Sequence, residues 1–243
     1  MKRLSIFSQH FLRSPLVAAE LIGHAAIKPT DTVYDIGAGS GVITMALARR
    51  CKAVVAIEVD PRMAAKLRQN MQTHTNVTVH QTDFLSMPLP QRPYKIFSNI
   101  PFSLSSAIVH KITEAASPPE VAYLIVQKQF AQKLQPDSAR YTSQLGMLLG
   151  PSFAVRIRKH LHRSDFAPPP HVDTVLLEIK RRPEPLIPVA QLPLFKRFIT
   201  QCFTNPQHFA GMPLVAAGIK PGLKASQLTL KDWLVLFAAT STK

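Results

Sequence analysis

The chain has 243 residues, 46% of them hydrophobic, enough to bury a core as one large domain or as a domain with a small appendage, and too apolar for a disordered chain. A net charge of +15 sets up a field that gathers polyanions, which favours a nucleic acid partner over an anionic membrane, because no basic amphipathic helix of membrane-binding length stands out. Two cysteines, Cys51 and Cys202, exclude a disulfide framework or a metal cluster, and the first ten residues lack a signal-like apolar run. With no stretch of membrane-spanning length, the expectation is a cytoplasmic protein with reduced thiols, no metal and no membrane association.

The elements follow in chain order. Ser14-Pro15 reads as an N-cap with proline at the first helical position, which predicts a helix over 15–27. A short apolar strand, 32–36, runs into Gly37-Ala38-Gly39-Ser40-Gly41, and a helix follows to about residue 50. A second buried strand covers 53–59, and Asp60-Pro61 caps a helix to about residue 73. A third strand spans 76–80, a fourth 94–98 ending at Asn99, then a helix 105–115 and a fifth strand 121–126. Strands alternating with helices predict an α/β fold, a Rossmann-like, doubly wound and mostly parallel sheet.

After about residue 150 the pattern changes. Residues 153–158 and 172–180 alternate like strands, joined by a loop containing Pro168-Pro169-Pro170. A proline-rich linker fills 181–193, and helical patterns follow at 194–204, 207–217 and 225–239. The expected division is a catalytic domain over 1–182 and a small helical, RNA-contacting domain over 183–243.

Four positions fall at the carboxyl ends of successive strands, where ligands bind in open sheets: Gly37, Glu58, Asp83 and Asn99. Gly37, Gly39 and Gly41 allow a tight turn and close approach of a ligand, and Gly-x-Gly-x-Gly suits S-adenosylmethionine, which has no pyrophosphate; a purely structural turn is the alternative. Glu58, beside Val59, stands about twenty residues on, where a carboxylate grips a ribose diol; the alternative is a cap for the next helix. Asp83 can accept from an adenine amino group while Phe84 packs on the ring, or it is an ordinary turn aspartate.

The most specific feature is Asn99-Ile100-Pro101-Phe102. The lone pair of an amino group conjugated to a purine is delocalised, so it is a poor nucleophile. Two acceptors aimed at its hydrogens, the Asn99 side-chain oxygen and the Ile100 carbonyl, favour a more pyramidal nitrogen. Pro101 stiffens the turn, and Phe102 offers a face to an extruded base. The alternative is a strand-ending turn with a core phenylalanine.

Together with Gln9-His10-Phe11-Leu12, Asp35-Ile36-Gly37, Tyr123–Val126 and Phe166-x-Pro168-x-Pro170-x-Val172, these motifs make the chain resemble the ribosomal RNA adenine N6-methyltransferases over nearly its whole length. The Asn-Ile-Pro-aromatic turn and short helical C-terminus are more similar to the Erm branch, which methylates a 23S rRNA adenine at the macrolide-binding site and confers macrolide, lincosamide and streptogramin B resistance. The alternative is the KsgA type, which dimethylates small-subunit (16S) rRNA in ribosome biogenesis; a third is an RNA-binding assembly factor with a vestigial site. Phe102 in place of the usual tyrosine and His10 in place of the asparagine common in Erm proteins are the departures.

The resemblance implies S-adenosylmethionine as cofactor. It implies His10 and Leu12 closing over it, Gly37 near its methionine part, Glu58 at the ribose, Asp83 at the adenine, and Asn99 at both cofactor and target amine. It makes Phe166 a second aromatic near the target base, with a plain core residue as the competing reading. Arg13, Arg156, Arg158, Lys159 and Arg163 are the expected phosphate contacts for rRNA, Arg156 and Arg158 sharing one strand face. A monomer without an obligate protein partner is expected.

Overall fold

The computed structural model describes residues 10–136 and 142–241. Nine short or regular strands and nine helices occur among them: β1 (Phe11–Leu12), α1 (Pro15–Gly23), β2 (Thr32–Ile36), α2 (Val42–Ala48), β3 (Ala53–Glu58), α3 (Pro61–Asn70), β4 (Val77–Gln81), β5 (Lys95–Asn99), α4 (Ser105–Glu114), β6 (Val121–Gln127), α5 (Lys128–Leu134), α6 (Gln144–Leu149), β7 (Phe153–Leu161), β8 (Phe166–Ala167), β9 (Thr174–Arg181), α7 (Leu192–Thr204), α8 (Pro206–Ala210) and α9 (Leu230–Ser241).

Seven strands make one sheet in the order β4-β3-β2-β5-β6-β9-β7. The first five are parallel, and β9 runs antiparallel to β6 with Val121 opposite Lys180. The apolar runs of β5 and β6 are buried on both faces, as a sheet covered by helices requires. Strand order reverses between β2 and β5. Their ladder is short, pairing Val33 with Lys95 and Tyr34 with Ile96. Beyond it the Ser98 hydroxyl takes over, accepting from the Ile36 N–H at 2.7 Å. Such a reversal opens a crevice at the carboxyl ends of the strands, and it places the loop after β2 beside the end of β5.

Helix α1 begins as the sequence predicts, with the Ser14 hydroxyl accepting from the Val17 N–H at 3.3 Å and Pro15 at the first position. It ends at Gly23 rather than near residue 27, because the Ala26 backbone is taken elsewhere. The Ala26 N–H donates to the Tyr123 hydroxyl at 2.9 Å, and the Lys95 ammonium donates to the Ala26 carbonyl at 2.7 Å. Helix α8 is shorter than its apolar pattern suggests, since Gly211 and Pro213 interrupt it. Helix α9 starts five residues later than expected, where Thr229 and Asp232 cap each other: the Thr229 N–H donates to the Asp232 carboxylate at 2.9 Å and the Asp232 N–H to the Thr229 hydroxyl at 3.3 Å.

The chain forms two compact units, Met1–Lys128 with Arg156–Arg181, and Gln129–Val155 with Arg182–Lys243. The expected single cut after residue 182 therefore meets a chain that crosses three times. The reason is visible in α6: Met147 is buried with Phe195, Ile199, Leu228 and Trp233 in the core of the helical unit. No described helix is long and apolar enough to cross a membrane.

Candidate functional site

The loop after β2 is shaped by its backbone. Gly37, Gly39 and Gly41 all have positive φ, at 69°, 56° and 97°, a region that side chains with a Cβ rarely adopt. The N–H groups of Gly37 and Ala38 both donate to the Ile57 carbonyl, at 2.8 and 3.0 Å, which pins the loop to the end of β3. The Gly39 N–H donates to the Glu58 carboxylate at 2.8 Å, whose other oxygen accepts from Asp60 N–H at 2.9 Å. Glu58 is thus buried and fixed, with lone pairs to spare on each oxygen. A Cβ on Gly39 would lie 2.8 Å from the Phe11 ring, so Phe11 lies directly over the loop.

Gly41 has a different job from the ligand contact expected of it. A Cβ there would meet Leu67 at 2.6 Å, so the glycine lets the start of α2 pack on α3; it does not line the cavities described below.

One cavity is lined by His10, Phe11, Gly37, Glu58, Val59, Asn99, Ile100, Pro101 and Phe102. Its enclosed volume is about 70 Å³, small for a ligand pocket. The structure therefore brings together the end of β3, the glycine loop, the whole Asn99–Phe102 turn and His10-Phe11. Val59 is half exposed at the rim. Pro101 turns the chain, its carbonyl accepting from the Leu104 N–H at 2.9 Å, and Phe102 opens a single 3-10 turn leading into α4. The Phe102 ring lies 5.8 Å from the His10 imidazole.

Next to it a smaller cavity is lined by Phe11, Leu12, Asp35, Gly37, Ala38, Ser40, Val42, Ile43 and Asn99. Asp35 enters the sequence reading as part of the glycine-loop motif, without a role of its own. One carboxylate oxygen accepts from the Thr44 hydroxyl at 2.7 Å, and the other is buried without a hydrogen-bond partner. Burial, with a smaller contribution from the Glu58 charge, pushes its pKa up from 3.8 to about 7, against the Thr44 hydrogen bond. An acid inside an otherwise apolar strand was the available signal.

Asp83 and Phe84 are not among the lining residues of either cavity. Asp83 is exposed and accepts from the Leu85 N–H at 2.9 Å, the geometry of a turn aspartate; Phe84 is buried, with the Lys111 ammonium 5.4 Å from its ring centre.

The basic residues fall on the surface, but not freely. Arg156, Arg158 and His160 are exposed on one face of β7, as the alternation predicts. Arg158 faces Glu178 at 3.9 Å, Arg163 faces Asp173 at 3.5 Å, and Lys159 is paired with Glu20. The Lys159 hydrogen bond and charge hold the Glu20 carboxyl below its usual range. Arg13 is exposed beside Asp165, whose carbonyl takes its N–H at 2.7 Å. Phe166 corrects the sequence reading: it is 0% exposed, packed with Leu12, Phe97 and Tyr123 in the main core, and offers no face to RNA. Among the described residues no cluster of three potential metal ligands occurs.

Comparison with known proteins points in one direction. The family model for ribosomal RNA adenine dimethylase matches residues 2–208. The chain is 31% identical, over 98% of its length, to the rRNA adenine N-6-methyltransferase of Saccharopolyspora erythraea, and 34% identical, over 74%, to the dimethyladenosine transferase of Candida glabrata. It spans 65% of the first relative's length and 58% of the second's. The crystal structure of the 23S rRNA methyltransferase ErmE superposes with a TM-score of 0.82 at 31% identity, covering 94% of this chain and 98% of that one.

Proposed function

The chain belongs to the ribosomal RNA adenine dimethylase family, and from that premise we propose that it transfers a methyl group from S-adenosylmethionine to N6 of an adenine in 23S rRNA. The observation that carries the 23S reading is the likeness to ErmE, which extends over almost the whole of both chains.

The residues fit a donor that is cationic at one end and carries a ribose. Asp35 presents an unpartnered, buried carboxylate oxygen to the cavity formed by Gly37, Ala38 and Ser40, where an ammonium group would be matched. Glu58 has spare acceptor capacity for ribose hydroxyls at the neighbouring cavity. When bound, the donor supplies an electrophilic methyl on sulfonium sulfur, so no strong base is needed to make the amine attack.

The chain's own part is orientation. Asn99 and the Ile100 carbonyl accept the two amine hydrogens and keep the nitrogen lone pair pointed at the methyl carbon. Phe102 stacks on the extruded base, and the rigid Pro101 turn fixes the distance between them. Arg13 and Arg156, which have no ion-pair partner among the described residues, hold phosphates directly. Arg158, Lys159 and Arg163 exchange their carboxylate partners for phosphates, so binding weakens steeply with salt. The protein works as a monomer in the cytoplasm, without a membrane or an obligate protein partner.

Radiolabelled methyl transfer to naked 23S rRNA, naked 16S rRNA and immature 30S particles tests the target. Label in 23S alone is expected, with reduced macrolide susceptibility in cells expressing the protein. Label confined to 30S particles would assign the small-subunit reaction instead, and RNA binding with no label anywhere would mark the site as vestigial.

A further inference from the structure

Residues 10–13 are tied to one loop by main-chain and side-chain bonds. Phe11 pairs with Ala167 and Leu12 with Phe166 in an antiparallel two-stranded ribbon, β1 with β8. The Arg13 N–H donates to the Asp165 carbonyl at 2.7 Å, and His10 Nδ1 lies 3.0 Å from the Pro168 carbonyl. A carbonyl oxygen only accepts, so Nδ1 must carry the proton. His10 is therefore held by its ring at the far end of the ribbon.

The other side of His10 meets Asn99. The Asn99 amide nitrogen donates to the His10 carbonyl at 2.6 Å. The same rule settles which way the amide lies: the group facing a carbonyl oxygen is NH₂, and Oδ1 points the opposite way. Asn99 Oδ1 takes no hydrogen bond among the described residues, and Asn99 lines both cavities. A primary amide free to rotate would present nitrogen and oxygen to the cavity by turns. Nitrogen is a donor and would repel an amine hydrogen.

We propose that His10 is the positioning residue for Asn99: its ring, anchored on the Pro168 carbonyl, holds its own carbonyl where it locks the Asn99 amide with Oδ1 toward the cavity. This rests on the methyltransfer reading above and adds to it a residue that acts through Asn99. An asparagine side chain at position 10 could donate to the same Pro168 carbonyl, whereas alanine could not.

The test compares wild type, His10→Ala and His10→Asn by two readouts. Side-chain amide exchange of Asn99 by NMR needs no substrate: slow exchange in wild type and His10→Asn, and exchange at least about tenfold faster in His10→Ala, is expected. Single-turnover methyl transfer at saturating donor and RNA should fall by about tenfold or more in His10→Ala and recover in His10→Asn. Equal amide exchange in all three proteins would overturn the proposal. So would a His10→Ala defect confined to donor affinity, or one that asparagine fails to rescue. If wild type methylates no RNA while the amide result holds, the function reading has failed and the positioning has not.

Discussion

The carboxyl ends of β2, β3 and β5 and the core of the helical unit solve burial in opposite ways. At the strand ends buried polar groups are held atom by atom: Ser98 by Ile36, Glu58 by Gly39 and Asp60, and one oxygen of Asp35 by Thr44, the other having no partner. In the helical unit a cluster of rings packs among aliphatic side chains such as Ile199, Leu228 and Leu236. Trp233 packs with Phe198, Phe203 and Phe209 at centroid distances of 5.6 to 5.8 Å, and Phe195 meets Phe237 edge-on at 5.3 Å. The first region depends on which atom sits where; the second depends on how much volume is filled. A change in one should cost chemistry, and a change in the other should cost stability.

The largest expected effect is at Asn99. Asn99→Ala should lower methyl transfer by about a hundred- to a thousandfold, as loss of one preorganised polar group does, while RNA affinity and thermal midpoint stay near those of wild type. A large drop in midpoint would break the comparison by making Asn99 structural. Trp233→Ala is the mirror experiment. Emptying a fully buried indole site should cost about 3–5 kcal/mol in denaturant unfolding, with normal turnover per folded molecule.

Gly41→Ala falls between them. The new methyl would meet Leu67 at 2.6 Å with the backbone at φ 97°, so a loss of about 1–3 kcal/mol is expected from overpacking, with donor binding changed only through that strain. Donor affinity falling more than stability would return Gly41 to the binding site.

The last contrast is a slope. Asp35 has a folded-state pKa of about 7 against an ordinary 3.8. Between those values the folded chain holds a proton that the unfolded chain has released, so stability falls as pH rises from about 4 to about 7. Asp35→Asn keeps an acceptor for Thr44 and removes that contribution. Thermal midpoints measured across the window should decline less in the variant, and equal slopes would remove Asp35 as the cause.

These contrasts also mark what the sequence made legible. The alternation of strands and helices, the glycine loop, Glu58 and the Asn99 turn are patterns within a few residues of chain, and each stands at a strand end that local periodicity identifies. What escaped depends on partners far away in sequence. The two-residue strands β1 and β8 are too short to have a period, and they exist because Phe11 finds Ala167 across the site. Phe166 shares a motif with Pro168 and Val172, which are exposed, yet the ribbon turns it into the core. Helix α1 stops where Tyr123 and Lys95 claim the Ala26 backbone. Residues 129–155 join the helical unit because Met147 fits its core, which no local signal announces.

The most direct measurement is nucleoside analysis by mass spectrometry of 23S rRNA incubated with the protein and S-adenosylmethionine. The account predicts N6-methylated adenosine with wild type and none with Asn99→Ala. Methylation at a ribose hydroxyl or a pyrimidine, or equal N6 methylation by both proteins, would contradict it.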